Sequence, residues 1–285
     1  MLFRAIILSL ACTWTFSMYI SDPAKWNRHQ YLVKVLTKDI KIGNISTCTG
    51  TLLSPSIVVT SAKCFTENRQ NTAAQAIILA KGTKDTIHKA MLAVKIEGDL
   101  AVMKIDPVKD DDFCDKEPYP ARVSRLNFKP SLTDVVYQSV EPKDIQDSRC
   151  RVVGFTTNDN VEKFASSHDV QVLELEVRAD TDNLMFSEVN GNSTGRACWD
   201  DIGAPLECII SEDNKWVQVG LVHGIYGRGQ EEQETEMGSN STVPLKATCA
   251  DVQTMQFVVF SDNTFAHAIE VAGKTSVFDA QDKCF

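Results

Sequence analysis

The sequence contains no Cys-x-x-Cys pair, which excludes the zinc sites that are built from such closely spaced cysteines. Beyond its first 17 residues it has no apolar run long enough to span a bilayer, so we expect no membrane span. It also lacks an excess of positive charge, because 29 lysines and arginines stand against 38 aspartates and glutamates, a net charge of -9. An acidic surface repels phosphate backbones, so we expect no nucleic-acid partner.

Long segments with helical periodicity are absent as well. Short runs rich in β-branched residues, such as residues 30–36, 49–60, 100–105 and 150–155, alternate with turn residues. This pattern predicts an all-β sandwich or barrel. The exception is residues 264–271, for which we predict a short C-terminal helix.

The N-terminus has the pattern of a secretory signal peptide over residues 1–17. Arg4 precedes an apolar stretch, and the small residues Thr15 and Ser17 lie three and one before a cleavage point. The alternative is a buried first strand or helix. With a signal peptide, the protein would be secreted and extracellular.

Cysteine and asparagine positions agree with export. Removing the signal peptide removes Cys12 and leaves eight of the nine cysteines, and an even number in an exported chain predicts four disulfides. The triplets that begin at Asn44, Asn192 and Asn240 match the glycosylation signal Asn-x-Ser/Thr. These features predict a disulfide-bonded glycoprotein.

Three segments together resemble the chymotrypsin/trypsin family of serine proteases. Residues 48–64 resemble the segment that carries the catalytic histidine, and Lys63 stands at the histidine position. Residues 98–104 resemble the strand that carries the aspartate, which is present as Asp99. Residues 198–208 (Cys-Trp-Asp-Asp-Ile-Gly-Ala-Pro-Leu-Glu-Cys) are similar to Cys-x-Gly-Asp-Ser-Gly-Gly-Pro-Leu-x-Cys, and Ile202 replaces the nucleophilic serine.

Other positions of the family's site also differ. By the resemblance, Asp200 replaces the glycine whose amide contributes to the oxyanion hole, and Gly224 and Ile225 replace a tryptophan and a glycine that line the specificity pocket. Arg196 falls at the base of that pocket. Asp201 matches the aspartate that pairs with the new N-terminus of an activated enzyme, but we find no activation sequence before Tyr31.

The resemblance implies an all-β fold of two six-stranded antiparallel Greek-key β-barrels with a short C-terminal helix. It places a peptidase domain at residues 24–285, with the first barrel at about 30–120, the second at about 121–272 and a tail at 273–285. It implies no cofactor or metal. It further implies the disulfides Cys48–Cys64, Cys150–Cys208 and Cys198–Cys249. Cys114 and Cys284 remain and are expected to pair, in a departure from the common family pattern.

The replaced residues predict that the serine mechanism is lost, because isoleucine has no nucleophilic atom and lysine is a poor base at neutral pH. Two interpretations of Lys63 stay open: a solvent-tolerant replacement, or an ion pair with Asp99 that closes the cleft. Likewise, Arg196 either fills its own pocket or binds a ligand carboxylate.

The function that the resemblance implies is that of an inactive homologue, or pseudoprotease, of an invertebrate type. Such a protein would bind extracellular proteins as a regulator, adaptor or decoy in a protease cascade of an immune or reproductive fluid, with active proteases or their substrates as partners. The alternatives are an enzyme with a different mechanism that uses Lys63, Asp99, Asp200 or Asp201, and a structural secreted protein.

Overall fold

Strands dominate the computed structural model of the chain, as the runs of β-branched residues predict. The structure describes residues 21–41, 43, 45–65, 72–79, 85–109, 114, 122–130, 135–155, 169–180, 184–189, 195–210, 214–227, 252–260 and 262–285. The predicted signal peptide at residues 1–17, the predicted glycosylation sites Asn44, Asn192 and Asn240, and Cys249 lie outside this range.

The first half of the chain contains a closed antiparallel barrel. The strands of this half are β1 (Asp22–Ala24), β2 (Leu32–Asp39), β3 (Ile45–Ser54), β4 (Ile57–Ser61), β5 (Thr72–Leu79), β6 (Thr86–Glu97) and β7 (Leu100–Ile105). All except β1 form the barrel, in the order β2-β3-β4-β7-β6-β5. Successive strand residues point to opposite faces, so Val33 and Val35 of β2 both reach the interior and pack there with Leu52, Val58 and Met103.

The second half is built on one larger sheet. Its elements are β8 (Phe128–Pro130), β9 (Val135–Tyr137), α1 (Pro142–Gln146), β10 (Cys150–Phe155), β11 (Val170–Leu175), β12 (Arg178–Ala179), β13 (Leu184–Glu188), β14 (Pro205–Ile209), β15 (Trp216–Gly227), β16 (Val252–Val259) and α2 (Asp262–Cys284). The sheet order is β1-β11-β10-β14-β15-β16-β13-β12, with β8 and β9 as a separate hairpin. Where a second six-stranded barrel was expected, the described strands form an eight-stranded sheet with β1 and β12 at its ends.

The C-terminal helix is longer than the sequence predicted. It begins at Asp262 and continues to Cys284, across a break at Gly273, whose φ of 135° is not helical. The residues expected to form a tail at 273–285 are therefore largely helical. No helix in the described part of the chain has the length and apolar character needed to cross a membrane.

Helix α2 explains why β4 is apolar on both of its faces. Val58 points into the barrel, whereas Ile57 and Val59 pack in a second buried cluster with Phe265 and Val277 of the helix. Removing each such side chain from water stabilises the fold by about 1.5–3 kcal/mol. An uninterrupted apolar run is typical of a strand that is covered on both sides.

The first strand and the last helix of the described residues each pack against the half that lies distant in sequence. Strand β1 pairs with β11 of the second sheet, whereas the last turns of α2 return to the barrel and carry the disulfide Cys114–Cys284. Buried Gln281 donates to the carbonyl oxygen of Ser124 (2.7 Å) and accepts from the amide of Leu126 (3.0 Å). The helix therefore fixes the segment that connects the two halves.

The halves approach closely at Gly203, which lies just before β14. Its φ is +85°, and a Cβ there would overlap the carbonyl oxygen of Thr49 and the hydroxyl of Thr60, both in the first barrel. We predict that Gly203→Ala lowers the free energy of unfolding by about 3 kcal/mol, because both the backbone and the contact oppose a side chain. Chemical denaturation followed by circular dichroism measures this loss.

Gly43→Ala is the matched control for this prediction. Gly43 also has a positive φ (+76°), but a Cβ there would meet no atom within 4 Å. Equal losses in the two variants would contradict the close approach of the two halves at Gly203.

Candidate functional site

The three family-like segments meet at the boundary between the barrel and the sheet. Lys63 lies in the short 3-10 turn Ala62–Cys64 directly after β4, and the first amide of this turn donates to the carbonyl oxygen of Asp99 (2.8 Å). Across the boundary, the amide of Thr49 donates to the carbonyl oxygen of Ile202 (2.9 Å). Backbone hydrogen bonds thus hold the three positions around one cleft.

Disulfides fix the loops that carry these residues. The bonded pairs are Cys48–Cys64, Cys150–Cys208 and Cys114–Cys284, the same pairs that the sequence analysis expects. Cys198 is also disulfide-bonded, whereas its expected partner Cys249 lies outside the described residues. Cys48–Cys64 ties β3 to the turn of Lys63 at the mouth of the cleft.

A histidine from the second half of the chain, His223, lies beside Asp99. The imidazole Nε2 of His223, on β15, lies 3.4 Å from the carboxylate of Asp99. Its Nδ1 lies 3.2 Å from the hydroxyl of Ser61, which in turn accepts from the amide of Lys63 (3.2 Å). A neutral ring can accept at Nδ1 from the serine hydroxyl, which leaves the proton on Nε2, the nitrogen nearer to Asp99.

The environment of His223 favours this neutral form. The pKa of His223 is lowered to about 4, mainly by burial and also by the positive charge of Lys63, while the carboxylate of Asp99 opposes both effects. The imidazole side chain is only 8% exposed, whereas that of Asp99 is 47% exposed. At neutral pH the contact therefore joins a neutral imidazole to a carboxylate and is not an ion pair.

The hypothesis of an ion pair between Lys63 and Asp99 is wrong. Instead, the exposed Lys63 side chain extends to Tyr226, with Nζ 3.4 Å from the phenol oxygen and 5.7 Å from the ring centroid. The phenol in turn donates to the side-chain oxygen of Gln256 (2.9 Å). The Lys63 side chain therefore points to Tyr226 and not to the aspartate.

By the resemblance, Ile202 stands at the position of the nucleophile. Its half-buried side chain packs against the apolar clusters of both halves of the molecule. No nucleophilic atom is therefore present at this position, and the aliphatic group instead adds apolar contact between the halves.

Two carboxylates precede Ile202, and each has a local structural role. Asp200 is buried and accepts from the hydroxyl of Thr47, while the hydroxyl of Thr49 donates to the carbonyl oxygen of Asp200 (2.8 Å). Asp201 is fully buried and accepts from the amide of Cys198 (2.7 Å). Asp200 thus places a side chain with an acidic group at the position of the expected oxyanion hole.

The residues of the expected specificity pocket are closely packed. Ile225 is buried in the core of the second half, and Arg196 is buried with Nη1 3.2 Å from the carbonyl oxygen of Val252. The ring of Tyr226 lies over Gly224, where a Cβ would come within 2.7–2.9 Å of it. This packing favours the interpretation in which Arg196 fills its own pocket.

The remaining open space is a cleft of about 350 Å³ in front of Ile202. Its lining includes the exposed Ile45 together with Thr47, Lys63, Asp200 and Tyr226. The cleft combines apolar walls with one cation and one carboxylate. Among the described residues, no group of three His, Cys, Asp or Glu side chains could hold a metal ion.

Residues 21–236 match the sequence model of the Trypsin family. The chain belongs to the trypsin family. No curated protein gives a significant match. Family membership is consistent with the closed barrel, the second sheet and the disulfide bonds. Disulfide-bonded domains of the trypsin family are typical of secreted proteins.

The sequence analysis of this trypsin-family chain missed the role of His223. Gly224 and Ile225 were assigned to the specificity pocket by the resemblance, whereas His223, which directly precedes them, was not considered. A histidine at position 223, together with the lysine at the position where the resemblance expects a histidine, was an available signal. Only the register of the strands in the folded protein shows that the ring of His223 reaches Asp99.

His223 should make the stability of the protein depend on pH. Its pKa in the folded state, about 4, is below the ordinary value of 6.5, so protons bind more readily to the unfolded chain. The stabilisation, about 3 kcal/mol, is present above pH 6.5 and is lost as the pH falls to 4. We predict that His223→Gln reduces the drop in free energy of unfolding between pH 7 and pH 4.

Denaturation curves at several pH values measure this dependence. His267→Gln is the matched control, because His267 is exposed and contacts only the surface carboxylate of Glu97 at 3.5 Å. Buried His29, whose pKa burial also lowers to about 4, remains in both variants and keeps part of the pH dependence. If His223→Gln and His267→Gln keep the same pH dependence, the buried neutral imidazole is contradicted.

Proposed function

We propose that this trypsin-family protein is secreted, does not work as a serine protease, and acts by binding other extracellular proteins. The observation that carries the proposal is Ile202 at the position of the nucleophile. Acyl transfer by this mechanism needs an oxygen nucleophile beside a base, and an isoleucine side chain offers neither a lone pair nor a proton to transfer.

The groups around Ile202 support the same conclusion. The nearby imidazole, His223, has its two nitrogens in contact with Asp99 and Ser61, and its lowered pKa makes it a weak base. The carboxylate of Asp200 brings negative charge to the region where an oxyanion would develop, which raises the energy of that state. Tyr226 covers Gly224 on the strand that would accept a substrate.

Binding of proteins can persist when the chemistry is absent. The fold presents its loops and strand ends on a rigid, disulfide-bonded scaffold, and such surfaces carry recognition independently of a nucleophile. We propose a regulator, adaptor or decoy role in an extracellular protease cascade, with active proteases or their substrates as partners. The N-terminal signal pattern and the three glycosylation triplets support secretion.

Reaction with a fluorophosphonate probe tests the loss of the serine mechanism. We expect neither labelling nor cleavage of a peptide panel by the purified mature protein, while active trypsin in parallel is labelled. Ile202→Ala controls for contaminating protease, because it cannot change a signal that comes from another protein. Labelling that disappears on mutation of another residue of this chain would show a different nucleophile and would overturn the proposal.

The position of His223 also predicts that restoring the two replaced catalytic residues does not restore an active site. In the variant Lys63→His/Ile202→Ser, the new histidine meets an Asp99 that already contacts His223, and Asp200 still opposes the oxyanion. We predict no labelling of this variant.

Adding His223→Ser and Asp200→Gly frees the aspartate and removes the opposing charge. We predict that the fourfold variant is labelled faster than the twofold variant, as measured by in-gel fluorescence against time. Equal labelling rates in two folded proteins would contradict the blocking roles of His223 and Asp200.

A further inference from the structure

A second and larger opening lies at the eight-stranded sheet, apart from the cleft. It is a groove of about 830 Å³ that shares no lining residue with the cleft at Lys63. It lies where α1 and the start of β10 meet the end of β11, the two-residue strand β12 and the end of β13. The groove therefore opens near β12, the end strand of the sheet.

The deepest part of this groove is apolar. Val177 and Met255 belong to the core of the second half and are only 2% and 1% exposed, and the half-buried Leu175 lies beside them. Ligand sites commonly combine such an apolar floor with a few polar groups at the rim. The floor suits an aliphatic side chain.

The rim carries charged side chains of both signs, with an excess of acids. Its arginines are Arg149 and Arg178, and its acids are Asp147, Glu174, Glu176 and Glu188, so the local charge is 2 − 4 = −2. Both arginines already have carboxylate partners within the groove: Arg149 Nη2 lies 3.3 Å from Glu174, and Arg178 Nη1 lies 3.9 Å from Glu188.

Asp147 and Glu176 are the carboxylates in excess. Within the described part of the chain, no cation lies within ion-pair distance of either one, while both arginines of the rim are paired with other groups. A bound partner with a cationic group would therefore meet two available carboxylates. A lysine or arginine meets both requirements of the groove, because its aliphatic stem can cover the floor while its charged end reaches the rim.

From this combination we propose that the groove between α1, β11 and β13 binds a lysine- or arginine-bearing segment of a partner protein. The proposal concerns a surface separate from the degenerate cleft and does not rest on the loss of catalysis. The net charge of -9 on the whole chain favours the approach of a basic partner at long range. The groove supplies the local contacts that select it.

Fluorescence anisotropy with a labelled peptide of sequence Ala-Leu-Lys-Lys-Leu-Ala tests this proposal at 150 mM salt. We expect the Kd to rise about tenfold in the variant Asp147→Asn/Glu176→Gln, because the two exposed ion pairs with the peptide would be lost. The peptide Ala-Leu-Glu-Glu-Leu-Ala should not bind measurably.

The control variant is Asp106→Asn/Glu270→Gln, which removes the same two charges at exposed positions outside the groove. It should leave the Kd unchanged, and so should Lys63→Met in the cleft. Equal weakening by both charge-removing pairs would show attraction by the overall charge only and would overturn the proposal. Absence of binding by the basic peptide up to millimolar concentration would overturn it as well, whatever the result of the fluorophosphonate experiment.

Discussion

The contact between His223 and Asp99 determines the arrangement of the whole cleft. Asp99 lies in the turn between two strands of the barrel, and His223 lies on a central strand of the second sheet, so the contact joins the two halves of the molecule. The ring also reaches Ser61, whose hydroxyl accepts from the amide of Lys63. One buried imidazole thereby positions the turn in which the family's histidine would lie, and it leaves the Lys63 side chain to extend toward Tyr226.

A second set of buried polar groups stabilises the boundary away from the cleft. Arg151 and Glu207 form an ion pair at 2.7 Å on neighbouring strands of the second sheet. Burial raises the pKa of Tyr31 well above its usual range, so its phenol stays protonated, and its oxygen lies 2.9 Å from His29 Nδ1. These groups are buried together with charge partners and hydrogen bonds, which offset the large cost of removing them from water.

Lys34 shows how closely the two halves pack in the same region. It lies on β2 of the barrel, and its ammonium is 4.8 Å from the ring centroid of Phe155 on the second sheet. Burial lowers the pKa of Lys34 to about 7, although the carboxylate of Asp169 opposes this effect. An aromatic face and a nearby carboxylate compensate a cation that the alternating strand pattern of β2 directs into the boundary.

Much of the fold could be predicted from the sequence, because strand periodicity and the family-like segments are local features. β7 and β10 occur at the residues expected for them, 100–105 and 150–155. The second half of α2 was not predicted because Gly273 interrupts the helical pattern. In addition, the contacts of Gln281 and the Cys114–Cys284 disulfide, which hold this half of the helix in place, join it to residues distant in sequence. The hypothesis of an ion pair between Lys63 and Asp99 was wrong for a related reason. The side chain that contacts Asp99 is that of His223, and only the packing of the two halves brings it there.

The replacements around the cleft depend on one another. Tyr226 can lie where it does only because residue 224 has no Cβ, and Gly224 replaces a residue that is a tryptophan in the resembling segment. Ile225 fills the core, and His223 contacts the aspartate that the missing histidine would have contacted. Independent random substitutions at packed positions mostly destabilise a protein, whereas these side chains accommodate one another. On the proposed function, the closed cleft is therefore a packed arrangement that preserves the stability of the scaffold, and the binding surfaces on that scaffold stay in place without the chemistry.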